Sequence, residues 1–110
     1  MNKQEMALEY IKCFCTGDIG GIEPLLAADL KFRGPFYSSD SAEEYLASLR
    51  NDPPERCGYK VLSMTESDDS LAVFYDYEKP QGVIQIAQLF KFENQHITEM
   101  LLVFDGKGFD

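Results

Sequence analysis

YIKCFCTGDIGGIEPLLAADLKFRGP, running from Tyr10 to Pro35, reads as the end of an amphipathic helix, a Gly17-Asp18 corner, a short second helix and a strand stopped by Gly34-Pro35. Upstream, Asn2 is placed to cap the first helix, with Glu5 completing a capping-box pattern. Met6, Ala7, Tyr10, Ile11 and Phe14 recur at helical spacing and form its apolar stripe. Gly17 ends this helix and Asp18 can cap the next. Gly20, Gly21 and Pro24 weaken the second helix, since Pro24 would delete an internal hydrogen bond if it began at Ile19. The expected start is therefore nearer Ile22, or the segment is irregular, with Leu25 and Leu26 packing inward. Leu30 to Gly34 alternates as a strand, Leu30 and Phe32 on one face and Lys31 and Arg33 on the other.

Downstream of the Gly-Pro stop, Phe36 and Tyr37 are expected at the surface or lining a pocket. Ser41-x-x-Glu44 is a second capping box, opening a helix with Tyr45, Leu46 and Leu49 inward and closed by Pro53-Pro54. From Tyr59 the pattern becomes that of a meander with strands at 59–66, 71–78, 83–93 and 97–105. Ser67 to Ser70, Lys79 to Gly82 and Asn94 to His96 supply its turns. The expected architecture is α+β, a curved antiparallel sheet packed on three N-terminal helices. Residues 1–110 read as one domain, with 106–110 a frayed tail.

Strand parity sorts the side chains. Ile84, Ile86, Gln88, Phe90 and Phe92 share one face with Met100, Leu102 and Phe104, and that bulky, uncharged face is assigned inward. The opposite face carries Val83, Ala87, Leu89, Leu101 and Val103, too much apolar surface to leave wet. A homodimer through Ala87, Leu89, Leu101 and Val103 is the expectation.

A formal charge of −9 argues against nucleic acid and an anionic membrane surface as partners. No apolar run is long enough for a membrane span. Cys13, Cys15 and Cys57 are odd in number and lack a scaffold spacing, which points to a reducing, cytoplasmic setting. Cys13 and Cys15, two apart on a helix, face apart, and one histidine leaves metal binding without support; no cofactor is expected. His96 falls in a turn, and Asp76 and Asp105 have outward parity, so none is assigned a catalytic role.

The order of these units, with Tyr10 to Gly17-Asp18, Ala28-Asp29 and Gly34-Pro35 as its most specific parts, resembles the nuclear transport factor 2-like superfamily over about residues 2–105. That superfamily includes ketosteroid isomerases and SnoaL-like polyketide cyclases. The resemblance implies a cystatin-like, cone-shaped barrel with a pocket between sheet and helices. It puts Tyr10 where the isomerases hold their catalytic tyrosine. Gly34 stands in place of their proton-shuttling aspartate, and Gln88 in place of their protonated aspartate. The donor half of such a site is retained and the base is missing.

The residues alone leave Tyr10 open between ligand donor and ordinary core, and Gln88 between ligand and structural partner. The expected function is binding of a small apolar molecule bearing a carbonyl or phenol. Tyr10 and Gln88 would be its polar handles, and Phe14, Phe32, Phe36, Phe90, Met100 and Phe104 its walls. The alternatives are an isomerase-, cyclase- or hydrolase-like enzyme whose base is unassigned, and a protein-interaction scaffold.

Overall fold

Both ends of the first helix, α1 (Lys3–Thr16), are closed by side-chain or backbone caps. Asn2 Oδ1 accepts from the Glu5 N–H at 2.8 Å, and Glu5 Oε1 accepts from the Asn2 N–H at 3.0 Å. Gly17, at φ +73°, takes the left-handed conformation that ends the helix. The computed structural model describes residues 1–105, and the expected fray at 106–110 lies outside them. Helix α2 (Ile19–Ile22) begins at once after Asp18, whose Oδ1 accepts from the Gly21 N–H at 2.9 Å. The expected start nearer Ile22 is therefore corrected. The chain keeps one α-turn and then tightens into a 3-10 turn over Glu23–Leu25, with Pro24 in its first positions, where no N–H is needed. Gly21 is required by packing, since a Cβ there would stand 2.6 Å from Asp18 Oδ2 and 2.7 Å from Cys13 Sγ. Ser41 Oγ accepts from the Glu44 N–H at 3.0 Å to open α3 (Ala42–Asn51), which buries Tyr45, Leu46 and Leu49.

Within the described residues six strands form one sheet: β1 (Leu26–Arg33), β2 (Ser38–Ser39), β3 (Gly58–Glu66), β4 (Ser70–Lys79), β5 (Gly82–Glu93) and β6 (His96–Val103). Their order is β2-β1-β6-β5-β4-β3. β3 to β6 make the expected antiparallel meander, but β1 runs parallel to β6, so the sheet is mixed. The long excursion through α3 and four strands between β1 and β6 permits that crossover. β1 starts four residues before the expected Leu30, and its pairing slips between Leu26 and Lys31. Only beyond the slip does burial alternate, with Leu30 and Phe32 in and Lys31 and Arg33 out.

Two further register shifts, at Val61/Ser63 and Lys91/Phe92, bend the sheet without closing it. The second brings Ile97 and Met100, of opposite parity, to the same buried face. Leu71, Val73, Tyr75 and Tyr77 of β4 and Ile84, Ile86, Gln88 and Phe90 of β5 complete that inner face, which packs against α1. Among the described residues no helix is long and apolar enough to cross a membrane.

Candidate functional site

A cavity of about 370 Å³ opens between the helices and the inner sheet face. Helix α1 sends in Tyr10 and Phe14, β1 sends Phe32, α3 sends Tyr45 and Leu49, and the sheet sends Tyr75, Tyr77, Ile86, Gln88 and Leu102. Phe36, Tyr37 and Phe104 form the lip, with the Phe36 and Phe104 rings edge to face at 5.4 Å. The mouth is completed by Asp52, Pro53, Pro54, Glu55 and Lys79.

Six of the eight residues expected to face a ligand line this cavity: Tyr10, Phe14, Phe32, Phe36, Gln88 and Phe104. Phe90 and Met100 do not, and their assignment as walls is corrected. Parity puts them on the inner face, but both are buried behind the lining. The Tyr10 ring covers Phe90 edge to face at 5.5 Å, and Gln88 Nε2 donates to Met100 Sδ at 3.6 Å.

The polar floor is a chain of neutral groups. The Tyr75 hydroxyl donates to Gln88 Oε1 at 2.8 Å, the Gln88 side chain lies near Tyr10, and the Tyr10 and Tyr45 hydroxyls are bonded to each other. Burial raises all three phenol pKa values above the usual range; in Tyr10 the bond to Tyr45 acts the other way and is outweighed. These groups are uncharged at neutral pH. Counting protons exposes what is left over. Tyr75 spends its proton on Gln88, and Gln88 Nε2 donates to Met100. One of the two hydroxyl protons of the Tyr10–Tyr45 pair is used within the pair. The other is left for a further acceptor, and both residues line the cavity.

Tyr45 and Tyr75 were missed as site residues. Tyr45 was legible as inward on its helix, but its meeting with Tyr10, 35 positions away, was not. β4 has apolar residues of both parities, Phe74 among them, which hid the alternation of Tyr75 and Tyr77. Elsewhere, His96 opens β6, exposed, with Nδ1 2.9 Å from the Asn94 carbonyl. Asp76 lies on the outer face, in register with Lys60 and Gln85, its Oδ1 buried without a hydrogen-bond partner. Arg33 points outward and pairs with Asp40 at 2.9 Å. Of the outer-face residues, Leu101 and Val103 are 46% and 54% exposed and lie in register with Leu89 and Ala87. Phe74, 45% exposed, extends the patch on the far side of Ala87.

This arrangement of helices on a bent sheet recurs in solved structures. An NTF2-like protein of unknown function from Cytophaga hutchinsonii superposes with a TM-score of 0.83 at 21% identity, covering 99% of this chain and 95% of that one. The fold is nuclear transport factor 2-like. A putative ketosteroid isomerase from Kribbella flavida matches with a TM-score of 0.79 at 14% identity, over 92% of this chain and 76% of that one. An epoxide hydrolase of the LEH-like kind from M. tuberculosis matches at 0.76 and 13% identity, over 94% and 82%. No protein-family model matches the chain, and no curated protein sequence does either.

At these identities the likeness is one of fold, and a nuclear transport factor 2-like fold hosts unrelated activities. Gly34, where the resemblance puts the isomerases' aspartate, has its Cβ direction aimed at the Phe32 ring, 3.0 Å away. No carboxylate occupies that position. The carboxylates lining this nuclear transport factor 2-like cavity, among the described residues, are Asp52 and Glu55 at its mouth.

Proposed function

We propose that this protein binds a small, mainly apolar molecule carrying a carbonyl or a phenol, and works as a homodimer paired through the outer sheet face. The observation that carries the ligand reading is the bonded Tyr10–Tyr45 hydroxyl pair in a cavity walled by aromatic rings, a pair that uses one proton internally and can offer the other to a ligand. A neutral donor in an apolar cavity rewards a neutral acceptor, and a carbonyl oxygen or a phenol supplies one without a buried charge. A carboxylate would need a basic partner inside. Among the described residues the cation lining the cavity is Lys79, at the mouth, and the chain carries −9. Tyr10 and Gln88 act together, because both are neutral polar groups lining the same cavity and Gln88 lies near Tyr10.

Thermal-shift screening tests the preference: fluorenone and β-naphthol should stabilise the protein more than benzoate or a sugar phosphate. Tyr10→Phe and Gln88→Leu should each weaken binding of the best ligand by about 0.5–1.5 kcal/mol, the net worth of a neutral hydrogen bond. Both variants binding as tightly as the parent would show that the two side chains serve the fold alone.

A second reading, an isomerase-, cyclase- or hydrolase-like enzyme, draws on Asp52 and Glu55, carboxylates at the mouth of the same cavity. It is favoured only if a bound carbonyl compound turns over and Glu55→Gln stops that turnover while leaving binding intact.

A further inference from the structure

The Cys57 N–H donates to the Cys15 carbonyl at 3.0 Å, tying the residue before β3 to the last turn of α1. That single bond holds the two Cα atoms within, or close to the upper limit of, the span that a disulfide bridges. The side chains narrow the gap further. The Cys57 side chain lies close enough to both Cys15 and Tyr77 to act on each of them. Cys57 is half-buried and Cys15 buried, so one thiol is reachable and the second waits behind it. Cys13 is turned elsewhere, with its Sγ beside Glu9 at 3.5 Å and Asp18 at 4.0 Å. The pair also sits next to the cavity: Tyr77 lines it, and residues 52–55, just before Cys57, form one side of its mouth.

We propose that Cys15 and Cys57 are a thiol–disulfide exchange site, closing on reaction with a small disulfide of the glutathione type and stapling the 52–57 side of the mouth to α1. In the first step the Cys57 thiolate attacks one sulfur of the small disulfide. Its S–S bond breaks, one small thiolate leaves, and a mixed disulfide remains on Cys57. Cys15 then gives up its proton to solvent and attacks the Cys57 sulfur, expelling the second small thiolate. Two protein thiols are oxidised to one disulfide, and one small disulfide is reduced to two thiols. Burial holds the Cys15 pKa up, so this second step is slow at neutral pH and quickens as pH rises. Excess small thiol reverses both steps.

The test uses the full chain equilibrated with excess oxidised glutathione, quenched with iodoacetamide and read by intact mass and peptide mapping. The expected product retains one alkylated cysteine, Cys13, and carries a Cys15–Cys57 cross-link. Its Tm should rise by roughly 10 °C, because the bridge closes a long loop in the unfolded chain. Amide exchange across residues 52–57 should slow on oxidation and recover with reduced glutathione. Cys13→Ser should form the same cross-link, whereas Cys15→Ala should stop at a glutathione adduct on Cys57. Three alkylatable thiols after oxidation, an unresolved adduct in the parent, pairing through Cys13, or unchanged exchange at 52–57 would each overturn the proposal.

Discussion

Tyr10 and Tyr45 show how much one pair of hydroxyls can decide. Each phenol is buried, and each gains from its partner the hydrogen bond that burial would otherwise deny it. Tyr75 is treated the same way by Gln88. Burial holds the folded pKa values of Tyr10, Tyr45 and Tyr75 above the unfolded value near 10. Below about pH 10 both folded and unfolded chains keep these protons, and the shifts leave stability untouched. As pH rises past that point the unfolded chain releases protons that the folded chain retains. Stability should then fall by about 1.4 kcal/mol per pH unit for each such phenol. Urea midpoints measured between neutral and strongly alkaline pH should show the fall, and Tyr45→Phe should make it shallower. A midpoint that stays level above the ordinary phenol range would contradict this account. Of these residues, Tyr10 was singled out by the family resemblance and Gln88 also as an amide among apolar neighbours. Tyr45 and Tyr75 were not, because a tyrosine in a core pattern looks the same whether or not its hydroxyl has a partner.

At the scale of elements, local chemistry governs the ends and long-range pairing governs the middle. Asn2, Asp18 and Ser41 each cap the helix their position in the chain foretold. The β5–β6 hairpin closes through only two residues, Asn94 at φ 52° and Gln95 at φ 65°, and His96 already belongs to β6. Both residues lie in the left-handed region, the geometry of the tight hairpin turn whose twist suits the flanking strands. Asparagine tolerates that region well; glutamine does so at a cost. Gln95→Gly should therefore stabilise the protein by about 0.5–1 kcal/mol, after the added backbone entropy of glycine is subtracted. The check is a higher urea midpoint at an unchanged slope. A lower midpoint would mean that the contact from the Met1 amino group to Gln95 Oε1, at 3.4 Å, outweighs the turn strain.

For the molecule as a whole, the unresolved pressure is on the outer sheet face. Phe74, Leu101 and Val103 are about half exposed and lie on adjoining strands, with Ala87 and Leu89 between them. A patch of this kind on one chain is best removed from water by a second copy. Light scattering at micromolar concentration should give about twice the 12.5 kDa chain mass. Leu89→Glu should return it to one chain mass, since a carboxylate facing its own symmetry mate is both desolvated and repelled. A parent that scatters as a single chain would remove the dimer from the proposed function and leave the cavity reading standing.

What the sequence determined by itself was local: where helices start and stop, which side of each strand is apolar, and the order of units that carries the fold. Caps, turns and periodicity act over a few residues, so they are written in a few residues. The tertiary structure alone decided that β1 pairs in parallel with β6 and that α2 begins at Ile19 and tightens at Pro24. It also decided depth. Parity names the face on which Phe90 and Met100 lie, but bulges that bend the sheet and a helix that lays Tyr10 over Phe90 determine which inward side chains reach the cavity. Facing is a property of one strand, whereas depth is a property of everything packed in front of it.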